Sequence, residues 1–167
     1  MGGVSASIFA KRPSAVKVAR VTLAGSIGKE EILADVRAMC AIGQRGQLGL
    51  KGRLPWEGNK GREYVADVAR FFEVTRGHVI IAGPITVASI PAFAYEDRTI
   101  CEIRSNNPPA EVLAWFPNRV VYVGGGPPVW QTYAPFIHHW DITRLPYDGE
   151  ADRWFDSAWL VASKNGA

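Results

Sequence analysis

Cysteine is scarce in this chain of 167 residues: Cys40 and Cys101 are the only two, far apart and with no CxxC pair. That spacing excludes a disulfide framework and a zinc knuckle. It suits free thiols buried as small hydrophobes, with a reducing cytoplasm as the expected location. Histidine is nearly as rare. His78, His138 and His139 show no metal-ligand spacing, so no metal is expected. No apolar run reaches the roughly 18 residues a membrane-spanning helix needs, so no membrane partner is expected. Acidic residues are missing from residues 1–29, which carry Lys11, Arg12, Lys17, Arg20 and Lys29. That stretch lacks a secretory apolar core, and Ala6 breaks the myristoylation pattern. It reads as a basic N-terminal extension over residues 1–30, with VKVARVTL (16–23) a candidate strand.

The rest is globular. A hydrophobic share of 47% is enough for one core, placed here as a single domain over 31–160 with a short tail at 161–167. The net charge of +3 is scattered along the chain. Such a surface suits an anionic small molecule at least as well as nucleic acid, and no nucleic-acid partner is expected. Nothing in the sequence indicates an oligomeric state.

Strand-like and helical runs alternate. VRAMCAI (36–42), HVIIAG (78–83), RTICEI (98–103), RVVYVGGG (119–126) and HWDITRL (139–145) read as strands, and ADRWFD (151–156) approaches one. Between them, 64–75, GPITVASI (83–90), PPAEVLAWF (108–116) and PVWQTYAPF (128–136) read as helices, three of them with proline at their entrance. Continuous apolar strands alternating with helices predict an α/β fold with a largely parallel sheet.

Several features bear on chemistry. ADVARFFEVT (66–75) puts Asp67 on one helix face with Arg70, Phe71 and Val74, a carboxylate at the edge of an apolar stripe. Two strand–glycine–helix junctions follow, at Gly83 and at Gly124–Gly126. Each is either an ordinary turn or a phosphate-binding helix start. At the first junction Pro84 donates nothing, which leaves Ile85 and Thr86 as donors. Arg104 and Ser105 end a strand in the manner of a phosphate-monoester site or of a solvated strand end. The glycine-rich loop 44–61 carries Leu54-Pro55-Trp56, either a mobile lid with an apolar tip or a loop pinned by Trp56.

Taken in order, Leu48-Gly49, Leu54-Pro55-Trp56, Asp67, Phe71, Thr75, Gly83, Thr86, Ile90, Arg98, Arg104-Ser105, Val123–Gly126 and Thr143 resemble dihydrofolate reductase over roughly residues 36–156. The resemblance implies a three-layer fold with a central, mostly parallel eight-stranded sheet flanked by helices. It implies hydride transfer from NADPH to C6 of a 7,8-dihydropterin. Asp67 matches the only carboxylate of the family's pterin pocket, and Thr143 its hydrogen-bonding partner. Phe71 matches the aromatic wall, Leu54 the lid tip and Trp56 the tryptophan beside the pterin's water. Met39, Cys40 and Ala41 fall on the strand whose backbone meets pterin and nicotinamide, and Ile90 and Val123 line the cavity. Arg98 matches the arginine that clamps folate's glutamate. Thr86 and Gly124–Gly126 match pyrophosphate contacts, with a cis peptide between the first two glycines. Arg104 and Ser105 match the 2′-phosphate site, and Trp130 an aromatic near the nicotinamide. Leu48, Gly83, Ile85 and Val129 complete the implied cofactor contacts.

Pro84 and Ile85 stand where the family carries a basic residue, which leaves NADH open beside NADPH. The segment from Trp56 to Asp67 is longer than usual, and GGGPPVW carries an extra residue. A branch of the family in methylotrophic bacteria reduces dihydromethanopterin, and the divergence here looks similar to that branch. Dihydrofolate, a pyrimidine substrate of riboflavin synthesis, and non-catalytic pterin or nucleotide binding are the other readings.

Overall fold

The structure, a computed structural model, describes residues 33–165; the candidate strand at 16–23 lies outside them. Five strands form one wholly parallel sheet. They are β1 (Asp35–Ile42), β3 (Val79–Ala82), β4 (Thr99–Glu102), β5 (Val120–Val123) and β6 (His139–Arg144), in spatial order β4-β3-β5-β1-β6. The most apolar strands are central: all four residues of β3 are buried, as are Val121 to Val123. Strands covered on both faces have no solvent side to alternate toward, hence the unbroken VIIA and VVYV.

Two layers of helix cover the sheet. Met39, Ile80, Ile100 and Tyr122 face one side. Phe71 and Phe72 of α1 (Arg62–Val74), Val87 of α2 (Pro84–Ser89) and Ala94 of α3 (Ala94–Asp97) pack there. Val36, Ala38, Cys40, Val79, Ile81, Val121 and Val123 face the other side. They meet α4 (Pro109–Leu113), α5 (Pro127–Tyr133) and α6 (Ala158–Asn165). Trp140 and Trp159 stack at 6.2 Å within this second layer.

Three expectations are corrected. Among the described residues the sheet has five strands rather than eight. The short strands β2 (Gln47–Gly49) and β7 (Arg153–Trp154) pair only with each other, across an irregularity between Gln47 and Gly49. The expected tail from 161 instead continues α6, whose Ser163 hydroxyl accepts from Trp140 Nε1 at 2.7 Å. Part of the expected loop 44–61 is a hairpin. Lys51 (φ 51°) and Gly52 (φ 78°) form a two-residue turn closed by hydrogen bonds in both directions between Leu50 and Arg53. Paired positive φ angles match the twist of flanking strands, and glycine supplies one of them without strain.

The end of α1 is fixed by Thr75, fully buried, whose Oγ1 donates to the Phe71 carbonyl at 2.7 Å and accepts from Arg98 Nε at 2.9 Å. Thr75→Val removes both bonds and strands an arginine donor. It is expected to cost about 1–3 kcal/mol in chemical denaturation.

Candidate active site

Not one residue of α1 is fully buried, although its inner side carries Tyr64, Asp67, Phe71 and Val74 at helical spacing. The C-terminal half of the helix packs Phe71, Phe72 and Val74 on the sheet, and its N-terminal half, with Asp67, is only partly covered. Asp67 is half-buried there. Loss of water pushes its pKa above the ordinary carboxylate range, while hydrogen bonding from Thr143 and the charge of Arg70 pull it partly back.

The sheet below supplies the facing wall. β1 and β6 pair in register, Met39 opposite Asp141 and Ala41 opposite Thr143. Residues opposite each other in register share a face, so these four point toward α1, as the place of Met39 beside Phe71 shows. Thr143 thus lies on the sheet face that α1 covers, and its hydroxyl is among the groups that act on Asp67.

The backbone of β1 is open along part of one edge. The carbonyls of Val36 and Ile42 accept from His138 and Leu145 on the β6 side, and the Asp35 amide donates to Arg119 on the β5 side. Successive residues alternate. The polar groups of Met39 and Ala41 therefore face β5, yet pairing with β5 ends at Ala38–Val123. The last pair is closed by the Met39 amide, so the Met39 carbonyl and both polar groups of Ala41 are what lie beyond the end of pairing with β5. Cys40 is corrected on the same grounds. Its backbone faces β6, its side chain is buried on the far side of the sheet, and burial pushes the thiol up to about 12.

The two glycine junctions adjoin, because β3 and β5 are neighbours. Thr86 Oγ1 donates to the Gly125 carbonyl at 3.4 Å, and a Cβ on Gly83 would lie 3.6 Å from Val129. A Cβ on Gly126 would meet nothing within 4 Å, so open space fronts this turn, as a phosphate cradle requires. The cis peptide lies at Gly125–Gly126, one bond later than expected. Ile85 is an exposed side chain, so only its backbone amide can serve here. At the end of β4, Arg104 is exposed and bonds Glu102 at 2.6 Å, and Ser105 is exposed beside it. From β4 through β3 and β5 to β1, the expected cofactor and substrate contacts line the carboxyl edge of one parallel sheet, where such folds bind ligands.

Trp56 is 7% exposed, with its ring 5.6 Å from Tyr147 and 6.3 Å from Tyr64, one helical turn before Asp67. The loop is thus pinned at Trp56, while Leu54, about half exposed, forms its tip. A depression of about 540 Å³ beside Leu54 is lined by the loop itself and does not include Asp67. Leu48 is buried in the core on the far side of the sheet, with Cys40 and Ile42, and Ile90 packs with Met39 and Phe71.

Three more expectations change. Val123 is buried on the face away from Phe71, so its side chain does not line the cavity. Trp130 is 4% exposed, its Nε1 donates to the Val123 carbonyl at 3.0 Å, and it packs against Trp140 and Trp159. It props up the glycine turn from behind instead of facing a cofactor. Arg98 has a side chain only 1% exposed. Its guanidinium bonds Thr75, the Phe72 carbonyl and Asp97, so it caps α1 and is neutralised by its own neighbour. Three of its five donors are taken within the protein and the side chain is buried, so it is not presented to a ligand carboxylate as a free exposed fork.

Asp141 was missed by the sequence reading, which allowed the pocket one carboxylate. The signal was present in Asp141-Ile142-Thr143, since residues two apart on a strand share a face.

The sequence is 66% identical over 127 residues to the dihydromethanopterin reductase of Methylorubrum extorquens AM1, covering 76% of this chain and 94% of that protein. The fold matches dihydrofolate reductase from Enterococcus faecalis, solved with NADP(H) and RAB-propyl. The TM-score is 0.59 and the identity 22%, covering 74% of this chain and 79% of the other. No family model matches the sequence. Identity of that degree along nearly the whole length of the relative decides membership: the chain belongs to the dihydromethanopterin reductase family, with a fold like that of dihydrofolate reductase.

Proposed function

We propose that the chain reduces dihydromethanopterin with NADPH, adding hydride at C6 of the 7,8-dihydropterin ring. The observation that carries this reading is Asp67, a half-buried carboxylate of raised pKa on the side of the sheet that Met39 faces, where the Met39 carbonyl and the Ala41 backbone lie beyond the end of pairing with β5. A pterin presents N3–H and its 2-amino group side by side, a donor pair that one carboxylate takes with both oxygens. Thr143 orients that carboxylate, and Phe71 packs on the flat ring. The Met39 and Ala41 carbonyls accept remaining amino and amide hydrogens. Asp67 so placed favours arrival of a proton at N5. Residues 47–58, with Leu54 at the tip, exclude water from the ring.

The residues fit a nicotinamide dinucleotide: Thr86 and Gly124–Gly126 would hold the pyrophosphate, Arg104 and Ser105 the 2′-phosphate. When bound, the cofactor supplies the hydride. Arg104→Gln is expected to raise KM for NADPH about tenfold and leave KM for NADH unchanged, the value of one charged hydrogen bond.

Dihydromethanopterin is favoured over dihydrofolate because Arg98, the residue that would grip a glutamate tail, is buried and paired with Asp97. The test assays purified protein with each dihydropterin, and with NADPH and NADH in turn. NADPH absorbance should fall with dihydromethanopterin, and kcat/KM for dihydrofolate should be at least ~10-fold lower. Equal use of the two would contradict the substrate assignment. No consumption of either cofactor with either dihydropterin would remove the reading as a whole.

A further inference from the structure

Arg70 lies one helical turn after Asp67 on the same face of α1, and its guanidinium pairs with Asp141 of β6. Asp141 precedes Thr143 by two residues, so the same strand face that carries Asp67's hydroxyl partner also carries Arg70's counter-ion. The Arg70–Asp141 pair is formed, and Thr143, whose hydroxyl lowers the Asp67 pKa, lies two residues along the same strand face. The pair ties one turn of α1 to one stretch of β6 at the cavity wall.

We propose that Arg70 and Asp141 are positioning residues for Asp67: their ion pair holds this turn of α1 against β6 and applies two opposed charges to the Asp67 carboxylate. The inference rests on the reductase reading for its consequence, though not for its geometry.

The charged and titratable groups around Asp67 come from three elements. On α1 there are Arg70 one turn on and Glu63 and Tyr64 one turn back; on β6, Asp141, with the hydroxyl of Thr143; on β1, the Cys40 thiol, which burial keeps neutral. Tyr122 of β5 faces Arg70 from the same side of the sheet. Asp141 acts on Asp67 as a like charge and raises its pKa, whereas Arg70 lowers it. Pairing matters as well as charge. While Asp141 holds the guanidinium, Arg70 is kept from closing directly on Asp67 and spending the carboxylate that a pterin needs.

The two single variants therefore have opposite consequences. Asp141→Asn removes the repulsion and frees Arg70 to approach, so Asp67 should release its proton at lower pH. Arg70→Met removes the cation and leaves Asp141 uncompensated, so Asp67 should hold its proton to higher pH. A purely structural role would make the two variants alike, because each breaks the same contact.

The test is a carbon-13 NMR titration of the Asp67 side-chain carboxyl in the ligand-free full-length chain. It compares wild type, Asp141→Asn, Arg70→Met and the charge-keeping Arg70→Lys, with melting curves to establish folding. The expected result is a midpoint lowered in Asp141→Asn, raised in Arg70→Met and returned toward wild type in Arg70→Lys. The pH dependence of dihydropterin turnover should move in the same directions. Shifts of the same sign in the first two variants, or no shift in either, overturn the proposal. If Arg70→Met does not fold, Asp141→Asn and Arg70→Lys decide the matter: a lysine that leaves the midpoint displaced upward, or an asparagine that does not lower it, is fatal. The titration needs no substrate. Opposed midpoints in a protein that reduces no dihydropterin would sink the functional reading and leave the pair intact; the reverse result would do the opposite.

Discussion

Asp67→Asn should lower kcat for dihydropterin reduction at neutral pH by at least ~10²-fold, about 2.7 kcal/mol of barrier. The same variant should be more stable than wild type when no ligand is bound. Both effects have one origin. Asp67 is a carboxylate kept from water with its nearest cation, Arg70, taken by Asp141, so the folded protein disfavours its charged form. The folded-state pKa lies above the unfolded value. The contribution of this group to stability is therefore fully present below the unfolded pKa and is lost as pH rises through the folded one. At neutral pH wild type bears that cost and the asparagine variant does not. Thermal melting of the two proteins at pH 7 and again in the acid range tests this: the gap in favour of Asp67→Asn should shrink as pH falls. An amide keeps the size of the side chain but presents one acceptor and one donor, so it cannot take both hydrogens of the pterin edge. Binding and orientation should suffer with protonation.

The second large effect is expected at Gly125. Its φ of +77° is a left-handed conformation, and a Cβ there would fall 2.5 Å from Cζ2 of Trp130. The indole cannot yield, because Nε1 is tied to Val123 and the ring is packed against Trp140 and Trp159. Gly125→Ala should therefore destabilise the protein by about 2–4 kcal/mol, from backbone strain and overpacking together. It should also weaken NADPH binding at least ~10-fold by shifting the turn. Gly126→Ala provides the contrast. Gly126 has an extended backbone and nothing within 4 Å of a new methyl, so stability should change by less than about 0.5 kcal/mol. The methyl would instead enter the space in front of the turn, and cofactor affinity should fall. Denaturation and cofactor titration of the two variants separate the fold of the turn from its use.

The parallel core was legible in the sequence because VIIA and VVYV admit few other readings: continuous β-branched runs fit strands covered on both sides. The Asp67–Thr143 pairing and the two glycine junctions were legible through their order along the chain. What escaped was set by contacts between segments distant in sequence. Arg98 reads as an exposed cation until Thr75 and the carbonyl of Phe72 are found to surround it. Trp130 reads as a residue facing a cofactor until Trp140 and Trp159 enclose it. The roles of Cys40 and Val123 turn on which sheet face each occupies, and an unbroken apolar strand gives no alternation from which to read it. The turn at Lys51-Gly52 was hidden because a single bridge, Leu50 to Arg53, closes it, and the adjoining strand β2 is only three residues long and pairs with β7 about a hundred positions away.

The central claim is that Asp67 is the one group whose protonation governs reduction of the dihydropterin. The pH dependence of single-turnover NADPH oxidation, in wild type and Asp67→Asn side by side, tests it most directly. Wild type should lose rate as pH rises past a midpoint above the ordinary carboxylate range, and that midpoint should be absent from Asp67→Asn. The same midpoint and comparable rates in both proteins would contradict it.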